Sequence, residues 1–201
     1  MTAGGRRTQA DRRARSRAAL LEAAARGLSR HGYANLALEE VAGAAGYSRG
    51  ALYHQFRGKQ ELALAVVRWV DETWHSEVGR LGTEAARPVD ALLAMARGHA
   101  VFCRREVARV MMTLRVEFAG QDHPVGRAVT EVLDRLTADC TALVEAGRAD
   151  GTIPPGPPAA AVALAYLGTL EAVGIQLAGL APHDAELAER ATRGLLGLPG
   201  S

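Results

Sequence analysis

Lysine is nearly missing from this chain: 201 residues hold a single one, Lys59, against twenty-three arginines. Cysteine is almost as scarce. Cys103 and Cys140 share no short spacing, which excludes a disulfide framework and a Cys-rich zinc site and suits a reducing, cytoplasmic setting. His75, His99, His123 and His183 are dispersed without an i, i+4 partner, so no metal is expected. No apolar run stands behind the Arg-rich first seventeen residues, so no signal peptide is read. No stretch alternates as a strand would, no Gly-rich phosphate loop follows a strand, and no catalytic set emerges. An enzyme and a bound cofactor are therefore not expected.

Long apolar runs are missing too, with one exception. Pro158–Leu180 carries one formal charge, Glu171, and is long enough to span a bilayer. Much of it is Ala and Gly, and Glu171 and Gln176 would be costly in lipid. It reads as a buried helix of a soluble protein, with no membrane partner.

What is present is an uneven charge distribution. Residues 1–59 hold ten arginines and Lys59 against four acids, a net of +7. Residues 60–201 hold thirteen arginines against eighteen acids, a net of −5. A basic head on an acidic body points to a polyanionic partner for the head. A solvated Arg-rich tail would look the same.

The periodicity is helical throughout. Met1–Asp11 reads as a basic disordered arm. A helix over Arg12–His31 has Leu20, Leu21, Ala24, Ala25 and Leu28 on one face and stops at Gly32. Short helices are expected at Leu38–Ala45 and Ser48–Phe56, separated at Gly46, and a long one runs from Lys59 to about Leu81. Further helices are expected at Val89–Cys103, Glu106–Ala119, Val125–Ala149, Pro158–Leu180 and Asp184–Leu196, the last with Asp184 as its cap. The run "TIPPGPP" must be a loop. The fold class is all-α, with about nine helices. The expected organisation is the arm at 1–11, a three-helix head at 12–58, and a helical body at 59–201.

Two short helices around a tight turn at Gly46 form a helix-turn-helix, whose second helix enters the major groove. The expected DNA-facing residues are Ser48, Arg49, Gly50, Ala51, Tyr53 and His54. Arg49 can pair with a guanine edge or a phosphate, and hydroxyls and imidazole suit phosphate oxygens. Gly50 and Ala51 lack bulk, so the backbone can come close to DNA. The arginines from Arg6 to Arg17 can reach the minor groove or the backbone, or serve only solubility.

These residues carry a resemblance. "AGYSRGALYHQFRGKQEL", together with "HGY" at His31–Tyr33 and "LEEVAG" from Leu38, closely resembles the N-terminal signature of the TetR family of bacterial transcriptional regulators, over about Leu20 to Leu64. The resemblance implies that Tyr53 and Lys59 clamp phosphates of a double-stranded DNA operator. It also implies a small-molecule effector in a C-terminal cavity and a homodimer through the two C-terminal helices. Ala37 departs from the pattern: it stands where the family usually has a capping Thr or Ser, and only Asn35 is a nearby substitute. Tyr47 replaces a small aliphatic residue.

The candidates for the effector cavity are Trp69, Trp74, Phe102, Met111, Met112, Phe118 and Tyr166, with Arg115 and Glu171 as polar anchors. Each apolar member also reads as ordinary core, and Arg115 and Glu171 could simply pair with each other. The expected function is a ligand-responsive regulator, most simply a repressor released by a mostly apolar molecule. The alternatives are an all-α binding or enzymatic protein with a degenerate head, and a regulator without inducer.

Overall fold

A computed structural model describes residues 9–199, which form an all-α protein of nine helices among the described residues. Helix α1 is Gln9–His31, α2 Leu38–Ala44 and α3 Arg49–Gln55. Helix α4 covers residues 59–84 in three consecutive segments: Lys59–Trp74, a π-helical turn at His75–Gly79, and Arg80–Glu84. Helix α5 is Pro88–Phe102. A 3₁₀ turn at Glu106–Arg109 leads into α6, Val110–Glu117. Helix α7 is Pro124–Ala149, α8 Ala159–Gln176 and α9 His183–Leu195.

Several boundaries differ from those expected. Helix α1 begins at Gln9, three residues into the expected arm, where Asp11 in the first turn complements the helix dipole. Arg6, Arg7 and the rest of 1–8 lie outside the described residues. Ser48 and Phe56 are the caps of α3 rather than members of it. Asp184 does not cap the last helix. The cap is Pro182, and Asp184 is fully buried in a two-point ion pair with Arg104, Nε–Oδ2 2.7 Å and Nη2–Oδ1 2.8 Å. The Arg104 hydrogen bonds hold the Asp184 carboxyl below its usual range.

The head is built by α1, α2, α3 and the start of α4. Leu20, Leu28, Leu52, Phe56, Leu62 and Val66 close its core and are all essentially inaccessible. Gly32 (φ 72°) and Gly46 (φ 76°) make the two turns, in a backbone region that L side chains avoid. Gln55 Nε2 donates to Ser16 Oγ at 2.7 Å, and the Arg17 guanidinium lies over the Phe56 ring, so α1 is fastened across the end of α3.

The body packs α5 against α7, α8 and α9, with α4 and α6 between them and the head. Close approach of α8 to α5 depends on Gly174, where a Cβ would stand 2.7 Å from Cys103 Sγ. Helix α8 is long and apolar enough to cross a membrane, yet one face is buried at Val162, Ala163, Tyr166 and Leu170 against the core. Its other face leaves Leu164 62 % exposed, and Leu187 of α9 is 41 % exposed.

Candidate functional site

Helix α3 is short and held by two devices. Ser48 Oγ accepts the Ala51 N–H at 3.2 Å as an N-cap, and Leu52 and Phe56 anchor the inner face. What remains outside is Arg49, Gly50, Tyr53 and His54, all exposed, with Ala51 half-buried. Arg49 lies 3.0 Å from Glu39 and 5.3 Å above the Tyr53 ring. The neighbouring Tyr53 hydroxyl, then Glu39, push the guanidinium further above its ordinary range. Arg49 and Tyr53 are thereby held side by side on the exposed face of α3.

Ala37 is the N-cap of α2 and supplies no side-chain bond. Asn35 does not substitute for it: its Nδ2 donates back to the His31 carbonyl at 3.2 Å and finishes α1 instead. Lys59 starts α4 half-buried. Its Nζ donates to the Ala34 carbonyl at 2.7 Å and sits 5.0 Å over the Tyr33 ring. An ammonium has three donors, so two remain for another acceptor.

A second site lies in the body. A cavity of ≈ 90 Å³ is enclosed by α4, α5, α6, α7 and α8. Trp74, Phe102, Met111, Arg115 and Glu171 line it, with Met112, as do residues that the sequence did not place there, among them Asp71, His99, Cys103 and Ile175. Three expected members lie elsewhere. Tyr166 is fully buried behind the cavity and donates its hydroxyl to the Leu92 carbonyl at 2.8 Å. Phe118 stacks on His123 at 4.3 Å and meets Tyr33 edge-on at 5.2 Å, at the border with the head. Trp69 is half-buried against the core and does not line the cavity.

The cavity's polar groups are mostly committed. Trp74 Nε1 donates to His99 Nδ1 at 2.9 Å. Indole only donates, so Nδ1 accepts and the proton of neutral His99 is on Nε2, 3.3 Å from Cys103 Sγ. Burial pushes His99 down to about 4 and the Cys103 thiol up to about 12, so both are neutral. At the mouth, Arg115 Nη2 donates to Glu171 Oε2 at 2.8 Å.

The two sites are physically joined. Helix α6 carries Met111, Met112 and Arg115 on the cavity and ends at Glu117. The Glu117 carboxylate accepts the backbone N–H groups of Tyr33 and Ala34, each at 2.6 Å. In the 3₁₀ turn that leads into α6, Glu106 pairs with Arg30 of α1, and its carbonyl accepts the Ser29 hydroxyl at 2.7 Å.

The structure thus has a helix-turn-helix head with an exposed second helix, seated on a helical body with an internal apolar cavity. Residues 20–66 match the family model described as "Bacterial regulatory proteins, tetR family", so the head is similar to the heads of that family. The chain is 46 % identical over 67 residues to the HTH-type transcriptional regulator CymR of Pseudomonas putida, which is 33 % of each chain. It spans about a third of the length of the curated relatives it matches. Solved structures share the whole fold. A TetR-family regulator from Agrobacterium tumefaciens has a TM-score of 0.78 at 20 % identity, covering 92 % of this chain and 97 % of that one. AibR in complex with isovaleryl coenzyme A and operator DNA has a TM-score of 0.76 at 19 % identity, covering 92 % and 100 %.

Proposed function

We propose that this protein is a DNA-binding transcriptional regulator, a repressor, that grips a palindromic operator as a homodimer and is released by a small, mostly apolar molecule. The observation that carries the reading is the continuous connection from cavity to head: α6 lines the cavity and its Glu117 holds the turn that leads into the helix-turn-helix. In this reading Ser48, Arg49, Gly50, Ala51, Tyr53 and His54 face DNA, with Lys59 on a phosphate. Residues 12–58 are the DNA-binding unit, and 59–201 bind the effector and the second subunit.

The dimer rests on α8 and α9. Leu164, Leu180 and Leu187 are exposed on these two elements and the loop between them, beside the small residues Ala161, Ala165, Gly168 and Ala172. Such a face is a liability on a monomer and closes naturally on a twofold copy of itself. The exposed apolar side of α8 is thus a protein interface rather than a membrane span, and the protein works in the cytoplasm.

Release follows from differential affinity. An occupant that fits only one arrangement of α6 biases the two heads toward the wrong spacing. Moving a dimer from mostly competent to mostly incompetent takes roughly 5 kcal/mol of that difference. Footprinting the DNA flanking the protein's own gene tests the reading. The expected result is a protected inverted repeat with half-sites one helical turn apart. Protection without twofold symmetry would remove the dimeric operator.

A further inference from the structure

We infer that the body cavity and an outer groove are two halves of one binding channel, parted by the Trp74 indole, and that the channel takes an elongated, unbranched apolar chain; this rests on the effector-binding reading above.

The cavity is too small to be the whole site. An apolar cavity of ~150 Å³ holds a benzene ring, and this one has ≈ 90 Å³. A second space, an open groove of ≈ 820 Å³, runs between α4, α5 and α7. Its apolar lining includes Met95 of α5 and Leu136 and Leu143 of α7. Arg80 and Asp139 are exposed along it, charges of both signs, so the head of a bound chain is not chosen by charge there. None of its lining residues belongs to α8 or α9, the elements assigned to the dimer above.

Two side chains line both spaces, Trp74 and Leu136. The indole reaches from one space to the other. Its Nε1 edge donates to His99, which lines the cavity and not the groove. Its far edge, at Cζ3, lies 3.7 Å from where a Cβ on Gly79 would stand, and Gly79 lines the groove and not the cavity. The partition at this point is therefore a single aromatic ring.

One neutral hydrogen bond, to His99, holds that ring in place, and such a bond contributes only modestly. The π-helical turn His75–Gly79 begins at the next residue and supplies His75 and Gly79 to the groove. Turns of this kind recur at functional sites. A swing of Trp74 joins the two spaces, and a chain lying through the opening buries its methylenes on both sides of it. The gain grows with chain length, at about fourfold in affinity per buried methylene. A compact ligand cannot use both halves.

The test titrates 1-hexanol, 1-octanol and 1-decanol, which differ only in length, into the full chain by calorimetry. The wild type should bind each longer alcohol more tightly, decanol exceeding hexanol by roughly a hundredfold. Two substitutions plug the groove from opposite walls and leave the cavity lining untouched: Gly79→Leu on α4 and Ala142→Phe on α7. Gly79 has an ordinary helical φ of −56°, and Ala142 is exposed, so both positions can carry a larger side chain. Each plug should leave hexanol within about twofold and weaken decanol by roughly tenfold or more. Affinity that levels off at hexanol in the wild type, no binding of any alcohol, or decanol unaffected in the folded plugged variants overturns the inference. The wild-type length dependence and Ala142→Phe decide where Gly79→Leu does not fold. The same alcohols added to a complex with the gene's flanking DNA separate the two readings. A protein that ignores this DNA yet loses decanol through the plugs removes the regulator and keeps the channel. Specific DNA binding with no length dependence among the alcohols removes the channel and keeps the regulator.

Discussion

Glu117 and Tyr33 are 84 residues apart in the chain and 2.6 Å apart in space, carboxylate oxygen to backbone N–H. The second oxygen holds Ala34 in the same way, and the Ala34 carbonyl in turn receives Lys59. One carboxylate at the end of a cavity helix therefore fixes the turn that positions both Lys59 and the start of the helix-turn-helix. Bonds from backbone N–H to a carboxylate are among the stronger ones a protein makes.

Replacing this carboxylate separates sensing from response. Glu117→Ala should leave ligand binding to the cavity within about twofold, since Glu117 does not line it. It should raise the ligand concentration needed to release DNA by roughly tenfold, the effect of about 1.4 kcal/mol of lost coupling. Parallel titrations by fluorescence and by DNA release check it. Equal shifts in both would make Glu117 a stability residue only.

Gly32 is a sensitive point beside it. Its φ of 72° strains any L side chain, and a Cβ there would stand 2.6 Å from Glu117 Oε2. Gly32→Ala should cost about 1–2 kcal/mol in unfolding free energy from the backbone alone. In the Glu117→Ala background the backbone cost stays and the clash goes, so the two substitutions should combine to less than their sum. Additive losses in denaturant melts would show that the close approach is harmless.

Stability should rise with pH across a window set by His99. Its folded value is held down to about 4 by burial, against an ordinary 6.5. Between these values the unfolded chain binds the proton and the folded one does not, so acid favours unfolding there. The loss begins below about 6.5 and is complete near 4. His99→Gln, which keeps an acceptor for the Trp74 indole, should flatten the slope in melts between pH 4 and 7. An unchanged slope would assign it to other groups.

The Arg104–Asp184 pair should be asymmetric. Asp184 is fully buried and Arg104 is a third exposed, so Arg104→Met strands a buried carboxylate, whereas Asp184→Asn leaves a guanidinium that reaches water. Arg104→Met should therefore lower the unfolding temperature more at pH 7. The carboxyl is held below its usual range, so the pair's contribution is present above the ordinary carboxylate value and is lost as pH falls through the depressed one. The gap between the two variants should accordingly close in acid. A larger loss for Asp184→Asn at neutral pH would contradict this account.

The order and number of helices were legible because most carry a 3.6-residue apolar period and stop close to a Gly or Pro. Apolar face alone also brought Trp74, Phe102 and Met111 to one cavity. Periodicity states which way a side chain faces and not what comes to meet it. Phe118 and Tyr166 face inward as expected, but one meets the head and the other the Leu92 carbonyl. Charged residues were the least legible. Asp184 read as a cap and nothing in the sequence singled out Asp71 or Glu117, and each gains its role from partners 64 to 84 residues away. The π-helical turn after Trp74 left no mark in the apolar pattern, since it shifts the register within a helix that continues on both sides.

The central claim is that the head grips DNA through α3 and Lys59. The most direct measurement titrates the wild type and Lys59→Ala into the flanking DNA and into random DNA at several salt concentrations. The account predicts tight, salt-sensitive binding that prefers the flanking DNA. Lys59→Ala should weaken both DNAs alike and lower the logarithmic salt slope by about one. Weak binding that does not distinguish the two DNAs and is indifferent to Lys59→Ala would contradict it.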